Sequence, residues 1–70
     1  MNINKQLGMR IKYLRRLLGL SQEDLSLIAS INKNYLSDLE RGTRNPSLSI
    51  LKRIADALRV DLATLFKGIK

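Results

Sequence analysis

Residues that start or stop helices recur at short intervals along this chain. Gly19, Ser21, the run Ser30-Ile31-Asn32, the stretch from Gly42 to Ser47, and Asp61 divide it into five short segments. Between these marks apolar residues return at spacings of three and four, the period of one helix face. No segment alternates apolar and polar residues long enough for a strand. Seventy residues sit near the lower limit for a self-sufficient core, so the segments must share one. Hydrophobic residues are 44% of the chain, mostly Leu, Ile and Ala, which lean helical. The expected fold is all-α, five helices in a single domain over residues 1–70.

The first stripe is Leu7, Ile11, Leu14 and Leu18, with Lys5, Arg10, Lys12 and Arg16 on the other faces and Gly19 as C-terminal cap. Ser21 and Asp24 have the spacing of a capping box, with Asp in place of the usual Glu or Gln. Glu23 and Asp24 complement the positive end of that helix's dipole. Leu25, Ile28 and Ala29 are expected on its inner face. Asn32 suits the N-cap of a third helix, with Ile31 and Leu36 at the staple positions, Leu39 inward and Gly42 at the end. Ser47 caps a fourth stripe of Leu48, Leu51, Ile54, Ala55 and Leu58. Asp61 caps a last short helix carrying Leu62, Leu65 and Phe66.

Lys and Arg number 13 against 6 acidic residues, a formal charge of +7. In so small a domain that excess points to a polyanionic partner, although a merely basic protein has the same balance. There is no Cys, hence no disulfide framework and no thiolate metal site. There is no His, the commonest general base and metal ligand. Most of the six carboxylates have structural explanations at helix starts or on helix faces, so neither an enzyme nor a cofactor is expected. No apolar run approaches the roughly 20 residues of a membrane span. The N-terminus MNINKQLGMR lacks a signal-peptide core, and the chain reads as cytoplasmic with no membrane partner.

The informative unit is residues 20 to 42, two short helices separated by a brief turn. That is a helix-turn-helix arrangement, in which the first helix props the second in the major groove of double-stranded DNA. The face of the third helix turned away from Leu36 and Leu39 holds Lys33, Asn34, Ser37, Asp38 and Arg41. Lys can donate to guanine, Asn can pair bidentately with adenine, and Ser can serve either kind of base. A solvated helix face is also polar. The five-helix plan, the basic charge and the short preceding helix together favour base reading.

LGLSQEDL at 18–25, NKNYLSDLERGTRNPS at 32–47 and the following LSILKRIADALRVDLATLF resemble the phage-repressor and Cro-like (XRE) helix-turn-helix proteins, over roughly residues 7 to 67. Size, Tyr35 and the run NYLSDLERGTRNPSL look most like the controller proteins of restriction–modification systems. The resemblance implies a lambda-repressor-like fold, encoded by a prokaryote or phage. It implies that Lys33, Asn34, Ser37 and Asp38 face bases, and that Gln22 contacts a phosphate while bracing the reading helix. Tyr35 then lies against the DNA backbone or a thymine methyl, although its amphipathic ring equally suits packing against helix two, and Arg44 and Asn45 reach phosphate or an adjacent base. Arg15 and Glu40 match an ion pair tying helix one to helix three. Two positions depart from the family pattern. Ser26 stands where Ala is usual, which requires its hydroxyl to bond a carbonyl one turn back. Ser30 stands where Gly is usual, and is mildly strained if the turn needs a positive φ.

Val60, Leu62, Leu65, Phe66 and Ile69 are more apolar than a short surface helix needs. Leu65 is expected in the core, whereas Leu62 and Phe66 are candidates for a two-fold interface. A homodimer would place two reading helices about 34 Å apart on a pseudo-palindromic operator. The expected role is a sequence-specific DNA-binding transcription regulator, repressor or activator, with RNA polymerase a further partner if it activates. The competing expectation is an antitoxin or other protein-interaction module whose DNA binding is secondary.

Overall fold

The computed structural model describes residues 2–70. Five helices follow in order: α1 (Ile3–Leu17), α2 (Gln22–Ala29), α3 (Lys33–Arg41), α4 (Leu48–Ala57) and α5 (Leu62–Leu65). Among the described residues there is no strand. Each helix begins at a side chain that accepts from an otherwise orphaned backbone amide. Asn2 accepts from Lys5 N, Ser21 from Asp24 N, Asn32 from Asn34 N and Tyr35 N, Ser47 from Ile50 N, and Asp61 from Thr64 N. Such a cap typically contributes about 1 kcal/mol. The box at Ser21 is reciprocal, because its own amide donates to Asp24 Oδ2 at 3.0 Å.

Four helices end in one way. Gly19, Ser30, Gly42 and Arg59 take the left-handed conformation, with φ of 70°, 57°, 81° and 61°. The next amide then donates to the carbonyl five residues back: Leu20 to Arg15, Ile31 to Ser26, Thr43 to Asp38 and Val60 to Ala55, at 3.0–3.1 Å. This closes otherwise unpaired carbonyls at each helix end. Ser30 thus holds the positive φ that favours glycine. Arg59 does the same without any glycine, Asn or Asp to announce it.

α1 packs on α3, α2 on both α3 and α4, and α5 on α4 and α1. Their shared core contains Leu7, Ile11, Leu14, Leu25, Ala29, Leu36, Leu39, Leu51, Ile54, Ala55, Leu58 and Leu65. Three expected core residues are not in it. Leu18 is exposed because α1 has already ended and the chain turns out at Gly19; Leu20 packs on the core instead. Ile28 is 57% exposed, since the two-turn α2 buries Leu25, Ser26 and Ala29. The Ser26 hydroxyl donates to Glu23 O at 2.8 Å, which lets a polar side chain sit on that inner face. Leu48 is 69% exposed, because it is the first residue of α4 and the inward stripe starts at Leu51.

Gly8 lets α1 reach α3. A Cβ at that position would lie 2.4 Å from Leu39 O and 2.6 Å from Glu40 O. Two arginines bind the periphery through backbone carbonyls at helix ends. Arg10 donates to Thr64 O through Nε at 3.3 Å and Nη2 at 2.9 Å. Arg53 of α4 donates to Ala29 O at 3.2 Å and to Ser30 O, closing the end of α2.

Candidate nucleic-acid interface

One buried carboxylate ties three helices together. Glu40, in the last turn of α3, accepts from Arg15 Nε at 2.7 Å through Oε2 and from Arg15 Nη2 at 3.0 Å through Oε1. Gln22, the first residue of α2, donates its side-chain amide to the same Oε1 at 3.1 Å. Arg15 Nη1 also donates to Leu20 O at 2.8 Å, holding the α1–α2 turn. Arg15 and Glu40 are each 8% exposed. The hydrogen bond to Glu40 is the main cause that holds the Arg15 guanidinium above its ordinary pKa, with the Glu40 charge adding to it against the opposing effect of burial. A fork-to-carboxylate pair has one good geometry, so this node sets how α1, α2 and α3 lie relative to one another.

The opposite face of α3 is open. Lys33, Asn34 and Arg41 are exposed, and Ser37 and Asp38 are half-buried beside them. Lys33, Asn34, Ser37, Asp38 and Arg41 share one face by helical spacing, Arg44 reaches that face through Asp38, and Asn45 is exposed in the loop that follows. Tyr35 packs partly on the core, and the Arg44 guanidinium lies 5.4 Å from its ring centroid. Asp38 accepts from Arg41 Nη2 through Oδ1 and from Arg44 Nε at 3.3 Å through Oδ2. Thr43 pins the intervening turn, donating its hydroxyl to Asp38 O at 3.1 Å. The Asp38–Arg41 pair follows from i,i+3 spacing on a helix, but the reach of Arg44 back to Asp38 depends on the turn at Gly42.

Leu62 and Phe66 are half-buried against the core, as are Val60 and Ile69. Sequence reasoning missed Arg10 and Arg53 as carbonyl-binding ties. Each reaches across more than twenty residues, and no local pattern marks the contact. Among the described residues no group of three or more His, Cys, Asp or Glu could hold a metal ion. No helix among them is long and apolar enough to cross a membrane.

A helix-turn-helix family profile matches residues 11–65, the span from α1 to the end of α5. The chain belongs to the helix-turn-helix family. It is 42% identical over 60 residues to the uncharacterized HTH-type transcriptional regulator y4dJ of Sinorhizobium fredii, covering 86% of this chain and 78% of that one. It is 38% identical over 60 residues to the control protein C.BamHI of Bacillus amyloliquefaciens, covering 84% of this chain and 74% of the relative. The crystal structure of the restriction–modification controller protein C.AhdI from Aeromonas hydrophila superposes with a TM-score of 0.86 at 38% identity, covering 91% of this chain and 96% of that one. The chain spans only 47% and 40% of two longer relatives. The five-helix, all-α helix-turn-helix fold expected from the sequence is the fold observed.

Proposed function

We propose that this protein is a sequence-specific, double-stranded-DNA-binding transcription regulator that reads a pseudo-palindromic operator as a homodimer, in the manner of a restriction–modification controller. The observation that carries the reading is the exposed polar face of α3, held in a fixed orientation from behind by the Arg15–Glu40–Gln22 node. Lys33, Asn34, Ser37 and Asp38 then face base edges, and Arg41, Arg44, Asn45 and Tyr35 line the path of the backbone. Gln22 keeps one amide N–H and its backbone N–H at the start of α2 for a phosphate. Leu62 and Phe66 form the two-fold contact, with their remaining surface covered by the partner copy. The protein acts by binding and not by catalysis, in the cytoplasm, and RNA polymerase is its further partner where it activates.

Selection of bound duplexes from a random pool, followed by salt titration of the winner against scrambled DNA, tests this. The expected result is a palindrome with half-sites about one helical turn, roughly 34 Å, apart. Asn34→Ala and Lys33→Ala should each relax preference at one base pair of the half-site, by about 1–3 kcal/mol. Equal binding to all duplexes would overturn the reading. A monomeric sedimentation profile at high micromolar concentration would remove the dimer.

A further inference from the structure

Asp38 is the one acidic residue on the outer face of α3, in a protein carrying net +7. A carboxylate facing a polyanion weakens binding unless it does something else. Here both its oxygens are engaged, Oδ1 by Arg41 and Oδ2 by Arg44 at 3.3 Å. The Arg44 guanidinium carbon also lies over the Tyr35 ring, 5.4 Å from its centroid. The loop arginine is therefore held by an aromatic ring and a carboxylate, both of which belong to α3. Arg41 and Arg44 remain 65% and 53% exposed, so their outward N–H groups are open to a ligand.

We propose that Asp38 determines specificity by holding Arg41 and Arg44, so that the two arginines are withheld from indiscriminate phosphate pairing and presented in one geometry. The inference rests on the reading of α3 as the DNA-facing helix. Its physical basis is competition between anions. A guanidinium has five N–H donors, and each arginine spends one on Asp38. To take a phosphate fully, an arginine must exchange one anion for another, which gains little. A neutral base edge, such as guanine O6 and N7, can be met by the remaining donors with the carboxylate still bound. Phosphates occur at every step of any duplex, whereas that base edge does not. Asp38 thus discounts the mode common to all sequences while leaving the mode that distinguishes them. Exposed pairs of this kind are individually weak, so the effect lies in binding and not in folding.

The test compares wild type, Asp38→Asn and Asp38→Glu on the selected palindrome and on scrambled duplex of equal length, across 50 to 200 mM salt. Asp56→Asn, on α4 in an exposed pair with Lys52, serves as a control for the bare charge change. Each arginine released to pair a phosphate steepens the log–log salt dependence by about 0.9, or about 1.8 for the two. Between 50 and 200 mM salt, affinity of Asp38→Asn for scrambled DNA then falls about 12-fold more than wild type's. At the low-salt end Asp38→Asn should bind scrambled DNA more tightly than wild type does, and the ratio of specific to scrambled affinity should drop. Asp38→Glu, which keeps the charge, should recover part of that ratio, and Asp56→Asn should leave it unchanged. An unchanged salt slope and ratio in Asp38→Asn, with wild type still selecting a palindrome, would overturn the role of Asp38 alone. An equal loss of specificity in Asp56→Asn would reduce it to net charge. Failure of wild type to select any sequence would remove the DNA-facing reading beneath it.

Discussion

Gly8→Ala should destabilise the protein, although it places the best helix former in the middle of a helix. The new Cβ would stand 2.4 Å from Leu39 O and 2.6 Å from Glu40 O, where ordinary contact begins at 3.4 Å. Both obstacles are backbone atoms of α3 and cannot rotate away. α1 must retreat by about 1 Å, the difference between those distances, if it stays straight. A shift of that size would carry Arg15 Nε from 2.7 Å to beyond hydrogen-bond range of Glu40, in the same helix pair. Overpacking typically costs about 1–3 kcal/mol, and the upper end applies where backbone must move. Replacing a helical Gly by Ala returns about 1 kcal/mol. The net loss is about 2 kcal/mol, from a total stability of about 4–10 kcal/mol for a chain of this length. At roughly 4–8 °C per kcal/mol, the melting temperature should fall by about 8–16 °C, read by circular dichroism. Lys12→Ala, on the exposed face of α1, is the reference and should stay within about 0.5 kcal/mol of wild type. A Gly8→Ala protein that melts at or above wild type would refute the close approach of α1 to α3.

Arg15→Ala leaves Glu40 buried with Gln22 as a side-chain donor, and should lose roughly 3–5 kcal/mol in denaturant titration; adding Glu40→Gln should recover part of that loss. Arg59→Gly removes a left-handed non-glycine residue from the end of α4 and should gain about 0.5–1 kcal/mol, raising the melting temperature by about 2–8 °C. A lower melting temperature would mean that the Arg59 side chain matters more than its backbone. Asp24 and Asp61 are held below the ordinary aspartate value of 3.8, chiefly by backbone hydrogen bonds from Ser21 and Thr64. Their contribution to stability is therefore complete above pH 4 and lost as pH falls through the lower folded values. Melting temperature followed from pH 5 downward should decline less steeply in Asp24→Asn, which keeps an oxygen for the capping amide but no titrating group.

The sequence by itself determined what depends on neighbours three to five residues apart. The caps at Ser21, Asn32, Ser47 and Asp61 and the terminators Gly19 and Gly42 were legible, because a helix end is satisfied by its own adjoining residues. The stripes around Ile11, Leu36 and Ile54 were legible for the same reason, since period alone shows which face turns inward. The positive φ at Ser30 and the Arg15–Glu40 pair were legible only through family resemblance. Tertiary structure decided the rest. Ile28 and Leu48 fit a helical stripe, yet the core was complete without them. Gly8 looks like a weak point of α1 until α3 is laid against it. Which arginines Asp38 holds shows only once the turn at Gly42 brings Arg44 back beside it and Tyr35. A helical period specifies a face, but only packing says which neighbour that face meets and how closely.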